Sequence, residues 1–135
     1  MKIYFLDTNI ILDFLGNRRP FGKYALEIFS HSLTKKIQLW TSANSVTTAY
    51  YILEKDLGHQ SAKEKIGDLL KYIIIQPVLK EDLFTAIVSK FKDFEDGVQH
   101  SCAIRHGKIN AIITRNTKDF KNSQIPIISP EEIVF

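Results

Sequence analysis

Apolar and polar positions along the chain alternate between two rhythms. Ile3 to Leu6 is a short, continuously apolar run, as expected of a strand buried on both faces, and it stops at Asp7-Thr8-Asn9. Ile10, Ile11, Phe14 and Leu15 then recur at helical spacing. Pro20 and Gly22 mark a break, after which Tyr24, Leu26, Ile28, Phe29 and Leu33 supply the apolar surface of a second helical stretch. Ile37 to Trp40 reads as the second strand, ending at Thr41-Ser42. From Ser45, the positions Val46, Ala49, Tyr50 and Leu53 return to helical spacing, with Gly58 as the stop. Residues 62 to 72 form an amphipathic stretch with Ile66, Leu69 and Leu70 inward. Residues 73 to 79 run from a helix end into a third strand, which Pro77 assigns to a sheet edge. Leu83, Ala86, Ile87 and Phe91 continue the helical pattern. Asp93 opens a further helix carrying Val98, Cys102 and Ala103 and closed near Gly107. Ala111 to Thr114 reads as the fourth strand and Ile125 to Ile128 as the last.

Strand and helix signals thus alternate, with no internal repeat and no linker long or polar enough to divide domains. The pattern predicts one α/β domain over residues 1–135, in three α/β/α layers, with a central mostly parallel sheet of about five strands. Strand order is not legible in the pattern. Composition agrees: 44% apolar and 24% charged residues exclude a disordered or low-complexity chain. The single cysteine, Cys102, excludes an internal disulfide and a cysteine-based zinc site, and its mainly apolar helix marks it as core. No apolar run approaches the ~20 residues needed to cross a bilayer, and Asp7 interrupts the N-terminal apolar run too soon for a signal peptide. A cytoplasmic protein with no membrane association is expected.

Ligands of open parallel sheets bind outside the carboxyl ends of the strands, so acids at strand ends carry most of the interest. Asp7 stands where the first strand ends. Arg115, Asn116, Lys118 and Asp119 follow the fourth strand. Asp93, Glu95 and Asp96 share one turn at the start of the helix leading into that strand. Each has a structural alternative: Asp7 and Asp93 as N-caps, Glu95 and Asp96 as partners of the helix dipole, Asp119 as a solvated turn residue. Together they point to a hard cation, because converging carboxylates repel one another and Mg²⁺ or Mn²⁺ prefers oxygen ligands. The four histidines lack metal-ligand spacing, although His100 lies four residues from Asp96, within reach of a supporting role. No phosphate loop and no Gly-x-Ser-x-Gly elbow occur.

The apolar strand followed by Asp7-Thr8-Asn9, then Asp93-Phe94-Glu95-Asp96-Gly97, then Ile112-Ile113-Thr114-Arg115-Asn116 with Asp119-Phe120, resembles a PIN domain in order and spacing. Within that family it looks most like the VapC-type toxins of bacterial toxin–antitoxin pairs, over essentially the whole chain. The resemblance implies a metal-dependent ribonuclease of single-stranded or structured RNA, with Mg²⁺ or Mn²⁺ at the sheet edge. By position, Asp7 and Asp96 match two of the family's metal-binding acids, and Thr8 matches the small hydroxyl residue beside the first. Asp7, Asp96, Asn116 and Asp119 are then the expected catalytic set. Asp7, Glu95, Asp96 and Asp119 are the expected metal ligands, and Thr8, Arg115 and Lys118 would contact substrate. Homodimerisation and an antitoxin protein partner are implied as well.

Two positions depart from that family pattern. A glutamate usual in the helix after the second strand is here Thr48, and a late aspartate is here Asn116; Glu95 and Asp119 are the nearby acids that would compensate. The departures keep open an RNA- or partner-binding module with a weakened metal site and little or no nuclease activity. A phosphohydrolase using Asp7 as nucleophile ranks below both, since residue 9 is Asn rather than a second Asp. The overall charge of +3 decides little, but its distribution is uneven. Residues 81–99 carry a net −3 and residues 100–121 a net +4, an acidic pocket beside a basic rim that suits a polyanion. Trp40, Tyr50 and Tyr51 are read as packing residues before base-stacking ones.

Overall fold

The computed structural model describes residues 1–34 and 36–135. Its elements run β1 (Lys2–Leu6), α1 (Thr8–Leu15), α2 (Gly22–Leu33), β2 (Ile37–Ser42), α3 (Ala43–Leu57), α4 (His59–Leu69), β3 (Ile74–Gln76), α5 (Lys80–Val88), α6 (Phe94–His106), β4 (Ala111–Ile113) and β5 (Ile127–Ile128). Short 3-10 turns at Thr117–Phe120 and Pro130–Glu132 complete the described chain. The strands form one parallel sheet in the order β3-β2-β1-β4-β5.

Strand pleating divides the core into two layers. Side chains alternate across a strand, so Tyr4 and Leu6 enter one core while Phe5 enters the other. Register carries the alternation into β4: Tyr4 pairs with Ala111, Phe5 with Ile112 and Leu6 with Ile113. The first core joins Tyr4, Leu6, Leu39 and Ile113 to apolar residues of α1, α2, α3 and α4. The second joins Phe5 and Ile112 to Ala86 of α5, Val98, Cys102 and Ala103 of α6, and Phe120. Burying a side chain such as Phe5 stabilises by about 1.5–3 kcal/mol, and both layers draw on the central strands for it. Cys102 is fully buried and free, as its helix implied.

The termini of the elements follow local chemistry. Asp7, Ser42 and Asp93 cap α1, α3 and α6 through their side-chain oxygens. The Ser42 cap moves the start of α3 ahead of Ser45, to Ala43. Gly107 closes α6 at φ +83°, a conformation that favours glycine. Gly97 lets α6 lie close on α5: a Cβ there would sit 3.1 Å from Ala86 Cβ and 3.2 Å from Ser89 Oγ.

Several expected boundaries and inward positions differ. Leu26 and Leu33 point outward, because α2 buries the stripe Ala25, Ile28 and Phe29 instead. Leu70 is half-exposed at the end of α4, and Phe91 lies beyond the end of α5. On α5, Ala86 packs inward while Leu83 and Ile87 remain exposed. The third, fourth and fifth strands are shorter than the apolar runs that suggested them. β3 does lie at the sheet edge, just before Pro77, which has no N–H for a further ladder bond. Among the described residues, no helix is long and apolar enough to cross a membrane.

Candidate active site

Strand order determines where a ligand can enter. The chain lays β1, β2 and β3 outward in one direction, then returns past β1 to add β4 and β5 on the other side. The carboxyl ends of β1 and β4 therefore flank the point where the winding reverses, the usual crevice of open α/β sheets. Asp7 and Thr114 are the first residues beyond those two strands, and α6 brings Glu95, Asp96 and Gln99 to the same place.

Asp7 is buried and held from four directions. Thr8 N donates to Oδ1 at 2.7 Å and Gln99 Nε2 to the same oxygen at 3.0 Å; Thr114 Oγ1 donates to Oδ2 at 2.7 Å and Asn9 Nδ2 at 3.2 Å. Burial raises the Asp7 carboxyl above its ordinary value, and Asp93's charge adds to the rise, although the donors from Thr114, Gln99 and Thr8 oppose it. Gln99 Oε1 is a buried acceptor with no partner, directly beside this carboxylate.

Glu95 bridges three elements. Its Oε1 accepts from Thr8 Oγ1 of α1 at 2.9 Å, and its Oε2 is reached by Thr48 Oγ1 of α3 at 3.5 Å. Burial, then the charges of Asp7 and Asp93, raise its carboxyl despite the Thr8 bond. Asp96 is raised as well, to about 7, by burial and then by Asp7, Asp93, Asp119 and Glu95. Among the described residues, no lysine or arginine forms a salt bridge with Asp7, Glu95 or Asp96. The centre is short of positive charge.

The other sequence-derived candidates are more dispersed. Asp119 is exposed on the 3-10 turn after β4, and its charge reaches Asp96. Asn116 is exposed, and its backbone N–H donates to Thr114 Oγ1 at 3.0 Å, which places it behind Asp7's own partner. Lys118 is exposed on the same turn. Arg115 is not a free cation at the rim. Its Nε and terminal nitrogen grip buried Asp13 at 2.7 and 3.2 Å, and its guanidinium lies 4.0 Å from the Phe21 ring centroid. His100 turns away from Asp96: its Nε2 accepts from Gln124 N at 3.1 Å and its ring lies 4.8 Å from Phe91. Among the described residues, no three His, Cys, Asp or Glu side chains close to the spacing of a bound metal ion. The oxygens of Asp7 and Glu95 are instead engaged by threonine, asparagine and glutamine donors.

Sequence reading missed Gln99, Thr114 and Asn9 as partners of Asp7, and Asp13 as partner of Arg115. Gln99 had a usable signal, since it lies four residues after Glu95 and three after Asp96 on one helix face. Thr114 and Asp13 had none, because their roles depend on strand order.

The fold and this acidic edge define a class: the chain belongs to the PIN domain family, which residues 4–118 match. It is 32% identical over 133 residues to Ribonuclease VapC1 of Aquifex aeolicus (strain VF5), covering 95% of this chain and 90% of that protein. Among solved structures, a toxin-antitoxin complex from Klebsiella pneumoniae superposes with a TM-score of 0.69 at 22% identity, over 96% of this chain and 99% of that one. The sarcin-ricin loop cleaving toxin VapC20 of Mycobacterium tuberculosis gives 0.69 at 13% identity, over 87% and 95%. VapBC2 of Rickettsia felis, bound to a DNA fragment from its promoter, gives 0.68 at 18%, over 94% and 98%.

Proposed function

We propose that this PIN-domain protein is an endoribonuclease of the toxin type, dependent on a divalent cation and acting on single-stranded or structured RNA. The observation that carries the reading is the gathering of Asp7, Glu95 and Asp96 at the reversal point of the sheet with, among the described residues, no salt bridge to neutralise them. Perturbed acids in such a crevice are a recognised mark of a functional site. The ribonuclease named in the 32%-identical relative supports the reaction class.

The donor set fits a hard cation: carboxylates raised first by burial and then by one another's charge, flanked by threonine hydroxyls, are relieved by added positive charge. Asp7, Glu95 and Asp96 would hold it, with Asp119 at the rim. Mg²⁺ or Mn²⁺ supplies activation of water and stabilisation of charge on the phosphodiester oxygens. The protein's own contribution is positional. Thr114, Gln99, Asn9 and Thr8 fix both oxygens of Asp7, and Thr8 and Thr48 aim Glu95. Glu95 so placed lies between α1 and α3, where an acid at position 48 would approach, which supports an active centre with Thr48 in place of the usual glutamate.

Partners follow the same reasoning. The solved relatives that are toxin–antitoxin complexes support an antitoxin that inhibits this chain, and exposed apolar residues such as Leu26, Leu33, Phe84 and Ile87 support association, including a homodimer. A second reading, an RNA- or partner-binding module without cleavage, draws on the open spacing of the acids. One experiment separates the two: purified protein is incubated with single-stranded RNA in Mn²⁺, in excess chelator, and as Asp96→Asn. Cleavage confined to the unaltered protein with Mn²⁺ supports the nuclease; equal cleavage in chelator refutes the metal requirement; binding without cleavage favours the module.

A further inference from the structure

Beside the acids lies a cleft of about 430 Å³ whose walls carry Lys90 and Lys92 on one side and Lys118 and Lys121 on the other, with Asp93 and Asp119 between. Among the described residues, none of these lysines forms a salt bridge, although two carboxylates share the cleft with them. The walls are held together from below. Phe120 is buried beneath the turn with its ring 5.6 Å from that of Phe91, and Asn122 Nδ2 donates to Lys90 O at 3.4 Å. The segments that carry the four lysines are thus held together, so that one cleft is lined by four basic and two acidic residues with, among the described residues, no ion pair between them. The cleft also adjoins the active centre, since the charges of Asp93 and Asp119 both reach Asp96.

From this we infer that the cleft is the binding path for the phosphodiester backbone of a single-stranded RNA flanking the bond held at the acids. The inference rests on the ribonuclease reading for the identity of the polyanion. The lining favours a nucleic-acid backbone over an acidic polypeptide. No aromatic or aliphatic side chain lines it, so it offers neither a stacking platform for bases nor an apolar anchor for a protein partner. Lysine contacts to phosphates fix position without reading sequence, so any base preference must arise elsewhere, at the acids or beyond them.

The test measures binding of a fluorescent single-stranded RNA of roughly 20 nucleotides, in excess chelator, to the intact protein and to the combined variant Lys90→Gln/Lys92→Gln/Lys118→Gln/Lys121→Gln. Affinity should fall roughly tenfold to a hundredfold at about 0.1 M salt, and the slope of log affinity against log salt should become shallower by about 2 to 3. A charge-matched variant, Lys55→Gln/Lys63→Gln/Lys65→Gln/Lys71→Gln, alters α3, α4 and the turn after α4 on the other face of the sheet and should change neither. Equal weakening by both sets, or no weakening by the first at matched melting temperature, would overturn the inference. So would polyglutamate of the same length binding as tightly as RNA and being lost in the same variant, an outcome that reassigns the cleft to an acidic polypeptide. RNA that binds through these lysines yet is never cut in Mn²⁺ supports the cleft while removing the nuclease reading. RNA cut normally by the first variant with unchanged KM removes the cleft alone.

Discussion

Helix α6 meets two acids in two ways, a fully buried one on α5 and half-buried ones at its own start. Near its end, Arg105 reaches across to Asp82 of α5, with Nε 3.3 Å from Oδ1 and a terminal nitrogen 3.0 Å from Oδ2; Ser101 Oγ and Leu79 N complete the shell at 2.8 Å each. Burial pushes the Asp82 carboxyl up, but Arg105 and the other donors outweigh it and hold the group below its ordinary value. Near the start of α6, Asp96 and Glu95 are raised, and among the described residues no guanidinium or ammonium forms a salt bridge with them. The fold can neutralise a buried carboxylate with a cation from the neighbouring helix, and does so where the acid only fastens α5 to α6. At the sheet edge it leaves the charge uncompensated. Such an arrangement costs stability, and its persistence beside a crevice is the expected trade for activity.

The largest expected effect falls on the uncompensated side. Asp96→Asn should lower the rate of RNA cleavage by at least about 10³-fold, equivalent to roughly 4 kcal/mol of transition-state stabilisation, while the metal-free protein melts no lower than the unaltered one. A loss of activity accompanied by an equal loss of melting temperature would place Asp96 with Asp82 as a structural acid.

On the compensated side, Arg105→Met strands Asp82 without its cation. Breaking a buried pair costs about 3–5 kcal/mol, and the partial exposure of Arg105 argues for the lower end. Urea denaturation should show the loss, and cleavage per folded molecule should stay unchanged. If stability holds, Asp82 is satisfied by Ser101, Leu79 and the Cys102 thiol without its cation.

Opposite pH dependences should follow from the two directions of shift. Asp96 has a folded-state value of about 7, above its unfolded value, so the native state binds more protons between roughly pH 4 and 7. Its contribution to stability is therefore lost as pH rises through about 7. Asp82 is lowered, so its contribution is present above its unfolded value and lost as pH falls through the folded one. In chelator, thermal melts from pH 5 to 8 should decline, by about 1–2 kcal/mol after allowance for partial exposure of Asp96. Mn²⁺ should reverse the decline by binding the folded state, and Asp96→Asn should flatten it. A flat profile in the unaltered protein would mean that burial and the neighbouring charges do not raise Asp96.

The smallest effect sharpens the role of the two threonines on Glu95. Thr8→Val removes a 2.9 Å hydrogen bond and should slow cleavage about tenfold, whereas Thr48→Ala removes a 3.5 Å contact and should change it less than about threefold. The reverse order would show that Glu95 is aimed from α3.

The layered α/β architecture was legible in the sequence because β1 and β4 are short apolar runs and the caps at Asp7, Gly58, Asp93 and Gly107 punctuate them. Element ends were less so: Leu26, Leu33 and Ile87 are apolar by type but face outward, and only the packing partner decides which stripe a short helix buries. Asp7 stood out as an acid at a strand end, and Glu95 and Asp96 as acids in the first turn of the helix that leads into β4. The clamp on Arg115 did not, because Asp13 lies 102 residues away and meets it only once β1 and β4 are neighbours. Gln99 shares that history: helical spacing placed it beside Asp96, but nothing in the chain showed that its amide would face Asp7.

The reversal in strand order has a consequence in time. Asp7 depends on Gln99, 92 residues later, and on Thr114, 107 residues later, while β1 gains its second flanking strand only when β4 is made. At the usual pace of synthesis that interval is roughly 5–20 s, during which the first acid exists without its holders or its fellow acids. Long-range closure of this kind is also slow to nucleate, because the chain entropy must be given up before the contacts form. A growing chain therefore carries all of β1 early and yet has no assembled centre. The chemistry appears only as the last strands dock, together with the sheet that makes the molecule stable.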